Sequence, residues 1–256
     1  MYDSPSLHEF LAHTHLLTER QRRQGSIGPV GPLFCVHAEG IRDGQSVAVD
    51  RFFAADSSPA AALLALRNYS PERDNLLFVV DAPLERRQAF VRAGFRLVES
   101  QWLMGCNLAE WQPVMAERAE DVMVRPATDA RDALLLSAID GLEPIPMEEL
   151  RDPALTHYYC LAEDQPTAYG RSARYDEAIA WVSHVYTAPA FRKRGHAWAL
   201  MSRLLLTNRQ AGVDQSLLLA TEMAHVLYRR IGYTDLAEVA ILQLPPALLR
   251  RGQRRR

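Results

Sequence analysis

The feature that most constrains this chain is a short basic loop, Arg192–Ala197, with the sequence RKRGHA. Upstream of it, residues 178–187 are rich in apolar and β-favoured side chains, and this pattern ends before Pro189. Downstream, apolar residues recur at the spacing of one helix face: Ala197, Leu200, Met201, Leu204 and Leu205. The pattern predicts a strand, the basic loop and a helix in direct succession.

The basic loop has the properties of a phosphate-binding site. The first N–H groups of a helix lack partners inside the helix and carry the positive end of its dipole. Arg192, Lys193 and Arg194 add cationic charge, and Gly195 keeps bulky side chains out of the turn. The chain has neither a Walker loop nor a Rossmann glycine pattern. We therefore expect the loop to bind a phosphate or pyrophosphate; a basic turn on another type of α/β domain is the alternative.

The loop resembles the acyl-CoA-binding motif of the GNAT superfamily of N-acyltransferases. In that family an Arg/Gln-x-x-Gly-x-Gly/Ala loop holds the pyrophosphate of coenzyme A between the fourth strand and the next helix. Arg192, Gly195 and Ala197 match the motif, and Pro189 stands three residues ahead of it, as is common in the family. The resemblance implies acetyl-CoA as co-substrate, with the main chain at the end of the fourth strand bonded to the pantetheine arm. The residues that it assigns to the coenzyme are Val185, Thr187, Arg192, Lys193, Arg194, Gly195, His196 and Ala197.

The elements around the loop follow the GNAT order, βα-βββ-αβαβ. A strand at 122–124 precedes a helix that Thr128 or Asp129 caps and that runs to about Ile139. The later strands are predicted at 157–162, 167–173, 178–187, 217–220 and 233–244, with helices to about 211 and at 224–231. The implied fold class is α+β (mixed α/β): a GNAT fold with a central, mostly antiparallel sheet flanked by helices.

The chain divides into two predicted GNAT-like domains. Residues 122–246 form the expected catalytic domain, 113–121 a linker and 247–256 a basic tail. Residues 1–112 end in a similar way, since 89–95 (AFVRAGF) can be laid against 227–233 (LYRRIGY). Residues 1–112 lack the basic glycine loop, so a degenerate GNAT-like domain is expected; an unrelated α/β scaffold is the alternative.

Two residues are candidates for proton transfer. Tyr228 matches the family's tyrosine that protonates or hydrogen-bonds the coenzyme A sulfur. A phenol can do so because it is protonated at neutral pH. The alternative is that Tyr228 only packs in the core. The aligned residue of the N-terminal half, Phe90, has no proton to donate. His184 lies near the point where the family places a base, although a strand histidine is more often structural. Glu222 is a weaker competitor, and a chain of water molecules is the remaining route.

The acceptor is the least constrained part of the prediction. The acidic segment 140–152 lies where the family often builds its acceptor site, and it either attracts a cationic amine or is merely solvated. We expect a small-molecule or peptide amine as acceptor, without indication of which one. The expected activity is transfer of an acetyl or other acyl group from acyl-CoA to a primary amine by direct attack. The alternative is a non-catalytic acyl-CoA sensor.

Composition excludes several other classes. Twenty-nine basic and 31 acidic residues give a net charge of −2, so no general attraction to nucleic acid is expected. The arginine-rich stretch 250–256 contacts RNA or an acidic partner, or is simply solvated. No apolar run is long enough to span a membrane, and the first residues lack signal-peptide features. The three cysteines are far apart in the sequence, so neither disulfides nor a metal site is predicted. We therefore expect the protein to be located in a reducing cytoplasm. Lys193 is the only lysine, a bias typical of a GC-rich bacterial genome.

Overall fold

The computed structural model describes residues 26–42, 45–54, 56–69, 75–113, 122–142 and 144–245. They divide into two compact units: unit 1 holds the described residues up to Trp102 and from Ala237 onward, and unit 2 holds Leu103–Leu236. The predicted basic tail and almost all of the predicted linker lie outside the described residues. Within the described part of the chain, no helix has the length and apolar character needed to cross a membrane.

The described part of unit 1 is a sheet with two helices. Its elements are β1 (Ser26–Val30), β2 (Leu33–Arg42), β3 (Gln45–Ala54), α1 (Pro59–Tyr69), β4 (Asn75–Val80), α2 (Leu84–Arg92), the first part of β5 (Arg96–Asn107) and the later part of β11 (Thr234–Gln243). The strand order is β1-β2-β3-β4-β11-β5. β3 and β4 are parallel, whereas β1–β2, β2–β3 and β4–β11 are antiparallel. The last strand of the chain is therefore inserted beside β4.

The core of unit 1 uses residues from both ends of the chain. Phe52, Leu77 and Phe90 are buried together with Ala240 and Leu242 of β11. Burial of each of the larger side chains stabilises the folded unit by about 1.5–3 kcal/mol. Residues beyond 236 are therefore part of the core of unit 1 and not an appendage to unit 2.

Unit 2 follows the predicted order as far as the last helix, whereas most of the predicted final strand, β11, belongs to unit 1. Unit 2 contains β6 (Met123–Pro126), α3 (Ala130–Leu136), α4 (Met147–Leu150), β7 (Leu155–Ala162), β8 (Gln165–Arg174), β9 (Ile179–Thr187), α5 (His196–Gln210), β10 (Gln215–Ala220) and α6 (Glu222–Ile231). The strand order is β5-β10-β9-β8-β7-β6. α3 ends at Leu136, three residues earlier than predicted, and Asp129 caps it in a capping box with Asp132. β8 begins earlier than predicted, because Glu163 and Asp164 alone form the hairpin turn, both with positive φ.

The amphipathic face predicted for α5 is buried as expected. Leu200, Met201, Leu204 and Leu205 are fully buried. The helix comes close to the sheet at Gly170, where an added Cβ would lie 3.1 Å from Cδ2 of Leu200 in α5 and 3.4 Å from Cγ2 of Val185 in β9. This close approach fixes the helix against β8 and β9.

The predicted repeat is visible in the backbone. Phe95 N donates to Phe90 O (3.2 Å) after α2, and Tyr233 N donates to Tyr228 O (3.0 Å) after α6. The glycine that follows each helix has positive φ, +102° at Gly94 and +120° at Gly232. Both helices thus end in the same Schellman-type turn, in which glycine is required by the positive φ.

Candidate functional site

β9 carries a bulge at the position where the sequence placed a candidate base. Arg171 pairs with Ser183 and Tyr169 pairs with Tyr186, so one residue of β8 faces two residues of β9, His184 and Val185. His184 has φ +56° and is exposed. Bulges re-aim side chains and often accompany functional sites. The imidazole of His184 therefore leaves the sheet at a kink in the strand.

β9 and β10 separate beyond a short paired region. They pair in parallel only from Ile179↔Gln215 to Trp181↔Leu217, although β9 continues to Thr187 and β10 to Ala220. The main chain at the end of β9 is consequently open on the side toward β10. The corresponding strands of unit 1, β3 and β4, remain paired up to Ala54↔Val79, the last residue of β3.

The basic loop presents free backbone N–H groups. A short 3-10 turn, Pro189–Phe191, precedes it, and positive φ at Lys193 (+62°) and Gly195 (+87°) turns the chain into α5. The first bond of the helix joins Ala199 N to Gly195 O at 2.9 Å. Within the described residues, the N–H groups from Lys193 to Ala197 have no hydrogen-bond partner. Such a run of N–H groups at a helix N-terminus binds anions.

The cationic side chains of the loop are exposed and partly oriented by neighbours. Arg192 donates from Nε to Thr187 O (3.1 Å), and its guanidinium lies 6.0 Å from the centre of the Tyr186 ring. The guanidinium of Arg194 lies 5.7 Å from the ring centre of Phe191. Cation–π contacts of this kind hold an arginine while leaving its donors free for a ligand.

The side chain of His196 does not face the basic loop. It is 4% exposed and points into the core, where Nδ1 forms a 2.7 Å hydrogen bond with Oγ1 of Thr167. Burial, and to a lesser extent the charge of Arg194, lowers the pKa of His196. A neutral imidazole in the core cannot contact a ligand in the loop, so only the backbone N–H of His196 faces it.

Tyr228 is buried in α6, with 5% of its surface exposed. Its ring centre lies 5.9 Å from that of Tyr233, and its hydroxyl has no hydrogen-bond partner among the described residues. Burial raises the pKa of Tyr228, so the phenol stays protonated at neutral pH. No hydrogen bond within these residues joins Tyr228 to His184 or to the basic loop.

The acidic segment is only partly available to a substrate. Glu149 is 1% exposed and forms an ion pair with Arg171, which is itself fully buried. For the acidic segment the sequence left two roles open, attraction of a cationic amine and simple solvation; Glu149, buried in an ion pair, has neither. Asp140 and Glu148 are exposed, and Glu143 lies outside the described residues.

The two neighbouring tyrosines of β7 point to opposite faces of the sheet. Tyr158 bonds Thr207 of α5 at 3.0 Å, and Tyr159 donates to Asp132 of α3 at 3.0 Å. Both are therefore bonded within the fold. In the described residues no group of three or more His, Cys, Asp or Glu side chains is arranged to hold a metal ion.

Residues 154–235 match the acetyltransferase (GNAT) domain family. These residues form a GNAT domain. It includes the basic loop, the bulge at His184 and Tyr228, and the family to which it belongs is one of acyltransferases. No curated protein sequence matches this chain.

Solved structures share the fold over most of the chain. A GCN5-related N-acetyltransferase from Kribbella flavida has a TM-score of 0.69 at 18% identity, covering 94% of this chain and 97% of its own. A GCN5-related N-acetyltransferase from Sphaerobacter thermophilus has a TM-score of 0.59 at 16% identity, covering 83% and 80%. A tandem GNAT protein from the clavulanic acid biosynthesis pathway has a TM-score of 0.55 at 13% identity, covering 84% and 83%. The predicted fold class, a GNAT fold extending over both halves, is confirmed.

Sequence reasoning missed Tyr186. It lies between Val185 and Thr187, yet only the main chain of those neighbours had been considered. Its ring contacts Arg192, and its hydroxyl donates to Asp140 O at 2.7 Å. The one signal in the sequence was an aromatic residue at the end of the strand that precedes the basic loop.

Proposed function

We propose that this protein is an N-acetyltransferase that transfers an acetyl group from acetyl-CoA to a primary amine. The observation that carries the proposal is the run of unpartnered N–H groups from Lys193 to Ala197, beside exposed Arg192 and Arg194 and next to the open edge of β9. This arrangement fits a pyrophosphate in the loop and a pantetheine arm along the open edge. Residues 122–246 are the proposed catalytic segment.

The strand end supplies main-chain partners for the pantetheine amides. Thr187 O already accepts Arg192 Nε, so the groups of Val185 are the more accessible ones for the arm. Coenzyme A contributes a thioester, which activates the acyl carbonyl. The residues of this chain hold that carbonyl near the bulge, and they donate and accept the protons of the reaction.

We assign the proton transfers to two residues. The neutral amine attacks the carbonyl directly; the carbon–nitrogen bond forms as the carbon–sulfur bond breaks. Tyr228 donates a hydrogen bond or its proton to the departing sulfur; the raised pKa keeps the phenol protonated, which favours the hydrogen bond over full transfer, and its hydroxyl has no partner among the described residues. His184, exposed on the bulge, accepts the proton that the amine loses, directly or through water.

The first experiment is calorimetric titration of the protein with acetyl-CoA. The double variant Arg192→Ala, Arg194→Ala should weaken binding by tenfold or more, about 1.4 kcal/mol. Arg203→Ala is the matched control, since Arg203 is an exposed arginine of α5, the helix that follows the basic loop. Absence of binding by the wild type to acetyl-CoA and to longer acyl-CoAs would refute the proposal.

The assignment of His184 has a clean test because of its backbone. Glycine favours positive φ, so His184→Gly removes the imidazole without disturbing the bulge. We expect unchanged acetyl-CoA affinity and a loss of turnover at least tenfold, since general-base catalysis typically contributes about 10²–10⁴-fold. Unchanged turnover would show that water or another group takes the proton.

The second candidate function is a non-catalytic acyl-CoA sensor. The burial of Tyr228 favours it to the extent that this residue packs like a core tyrosine. Tyr228→Phe separates the two functions. An enzyme loses turnover and retains coenzyme binding, whereas a sensor shows no turnover in either protein and binds the coenzyme equally well in both.

A further inference from the structure

Tyr186 connects two parts of unit 2 that lie far apart in sequence. Its ring lies beneath the Arg192 guanidinium, 6.0 Å from the ring centre, and its hydroxyl donates to Asp140 O at 2.7 Å. Arg192 belongs to the basic loop, and Asp140 begins the acidic segment between α3 and α4. One side chain therefore contacts both the proposed coenzyme site and the segment where an acceptor is expected.

On the coenzyme side, Tyr186 helps to orient Arg192. The Nε atom of Arg192 is bonded to Thr187 O, and its planar group rests near the aromatic ring. Its two terminal nitrogens have no protein partner among the described residues. A guanidinium held in this way presents two parallel donors to a phosphate with little loss of side-chain freedom on binding.

On the acceptor side, the contact is tight and depends on glycine. Gly141 has φ +81°, and a Cβ at this position would lie 2.5 Å from Oη of Tyr186. Tyr186 also packs against the core cluster that contains Leu136, Ile139 and Leu150. The start of the acidic segment is thus held by the hydroxyl and by the ring of the same residue.

We propose that Tyr186 is a positioning residue that couples coenzyme binding at the basic loop to the order of residues 139–142. This inference rests on the proposed function, since it requires acetyl-CoA to bind at Arg192. A phosphate bound to Arg192 fixes the guanidinium, the guanidinium restrains the ring, and the restrained hydroxyl holds the Asp140 carbonyl. Coupling between two binding sites is reciprocal, so an ordered segment also favours the coenzyme.

Two variants of Tyr186 separate the contributions of ring and hydroxyl. Tyr186→Phe keeps the ring beside Arg192 and removes the bond to Asp140. Tyr186→Leu removes both. The measurements are hydrogen–deuterium exchange of peptides covering 137–146, with and without acetyl-CoA, and calorimetric affinity for acetyl-CoA.

In the wild type, acetyl-CoA should slow exchange in these peptides. We expect Tyr186→Phe to lose that protection and to bind acetyl-CoA up to about twofold more weakly, the small loss that a reciprocal coupling of this size requires. Tyr186→Leu should lose the protection and bind about fivefold or more weakly. Recovery of affinity by phenylalanine, without recovery of protection, is a pattern that a purely structural role of Tyr186 would not produce. Tyr158→Phe is the matched control, since it removes another tyrosine hydrogen bond of unit 2, to Thr207, and should change neither quantity.

The possible results are distinguishable. The coupling is overturned if the wild type binds acetyl-CoA without slower exchange in these peptides, or if Tyr186→Phe keeps the slower exchange. Either result leaves the proposed function intact. Unchanged affinity in Tyr186→Leu overturns the role of the ring. Absence of acetyl-CoA binding to the wild type overturns the proposed function and the coupling together.

Discussion

Two buried phenols of unit 2, Tyr228 and Tyr233, differ in one respect. The Tyr233 hydroxyl forms a 2.7 Å hydrogen bond with Ser216 Oγ, whereas the Tyr228 hydroxyl has no such partner in the described part of the chain. The Tyr228 hydroxyl is nevertheless not one of the fully buried polar atoms that lack a partner in the described residues. Its oxygen is therefore reachable from outside the core, so a group that is not part of the protein can accept a hydrogen bond from it.

Stability measurements should therefore separate the two tyrosines. Tyr228→Phe is expected to leave the free energy of unfolding nearly unchanged, because the lost hydroxyl makes no hydrogen bond to the described residues, while abolishing most acyl transfer. Tyr233→Phe is expected to lower it by about 1 kcal/mol, because it strands Ser216. Urea unfolding of both variants makes the comparison. An equal loss of stability in Tyr228→Phe would mean that its hydroxyl has a structural partner.

His157 should make the folded protein sensitive to mild acid. It is buried beside Arg171 and bonded to Tyr169 Oη (2.8 Å) and Glu149 O (3.1 Å). Burial, followed by the charge of Arg171, lowers its pKa from 6.5 to about 4. Between these values the unfolded chain binds a proton that the folded chain does not, so stability falls as pH drops, by up to about 3 kcal/mol.

The variant His157→Gln keeps hydrogen-bonding capacity and removes the titrating group. Its free energy of unfolding should fall less than that of the wild type between pH 7 and pH 4. Carboxylates titrate in both proteins, so the difference between the two curves isolates His157. Parallel curves would exclude it as the acid-sensitive group.

At the scale of elements, the end of α6 is set by one glycine. Gly232 has φ +120°, and an added Cβ would lie 3.0 Å from Cδ1 of Trp111. Gly212, which follows α5, also has positive φ, +82°, but a Cβ there would meet no atom within 4 Å. At both positions the positive φ would strain an alanine, but only at Gly232 would its Cβ also contact a neighbouring side chain.

Alanine at these positions should give different losses of stability. Gly212→Ala is expected to cost about 1 kcal/mol, from positive φ alone. Gly232→Ala should cost at least twice as much, because Trp111 must also move, and its indole Nε1 donates to Ile231 O at 2.8 Å. Thermal unfolding of the two variants checks the order; equal losses would show that Trp111 adapts without cost.

At the scale of the whole molecule, the two halves share the way a helix ends but differ at the proposed coenzyme site. β9 and β10 separate after Trp181, whereas β3 and β4 stay paired to Ala54. Ser58, and not a basic loop, begins α1, with its Oγ accepting from Ala61 N at 3.2 Å. Among the described residues, unit 1 therefore has no such opening between β3 and β4 and no basic loop before α1.

We therefore expect one acetyl-CoA molecule to bind per chain. Calorimetric stoichiometry near one, reduced in affinity by the Arg192→Ala, Arg194→Ala variant, would agree with this. A stoichiometry near two would place a second site outside the basic loop.

The sequence alone was sufficient for features that depend on neighbouring residues. The apolar spacing of α5, the cap at Asp129, the glycine at the end of α6 and the basic loop are local patterns, and each occurs in the structure where it was predicted. Periodicity and turn chemistry act within a few residues, so they can be read from the chain directly.

The tertiary structure decided what depends on distant partners. It placed β11 beside β4, turned His196 toward Thr167, paired Glu149 with Arg171 and joined Tyr186 to Asp140. No spacing in the sequence distinguishes these pairings from others of similar hydrophobicity or charge. They follow from which strands and helices lie together when the cores of the two units are buried, and that choice is made by the whole chain.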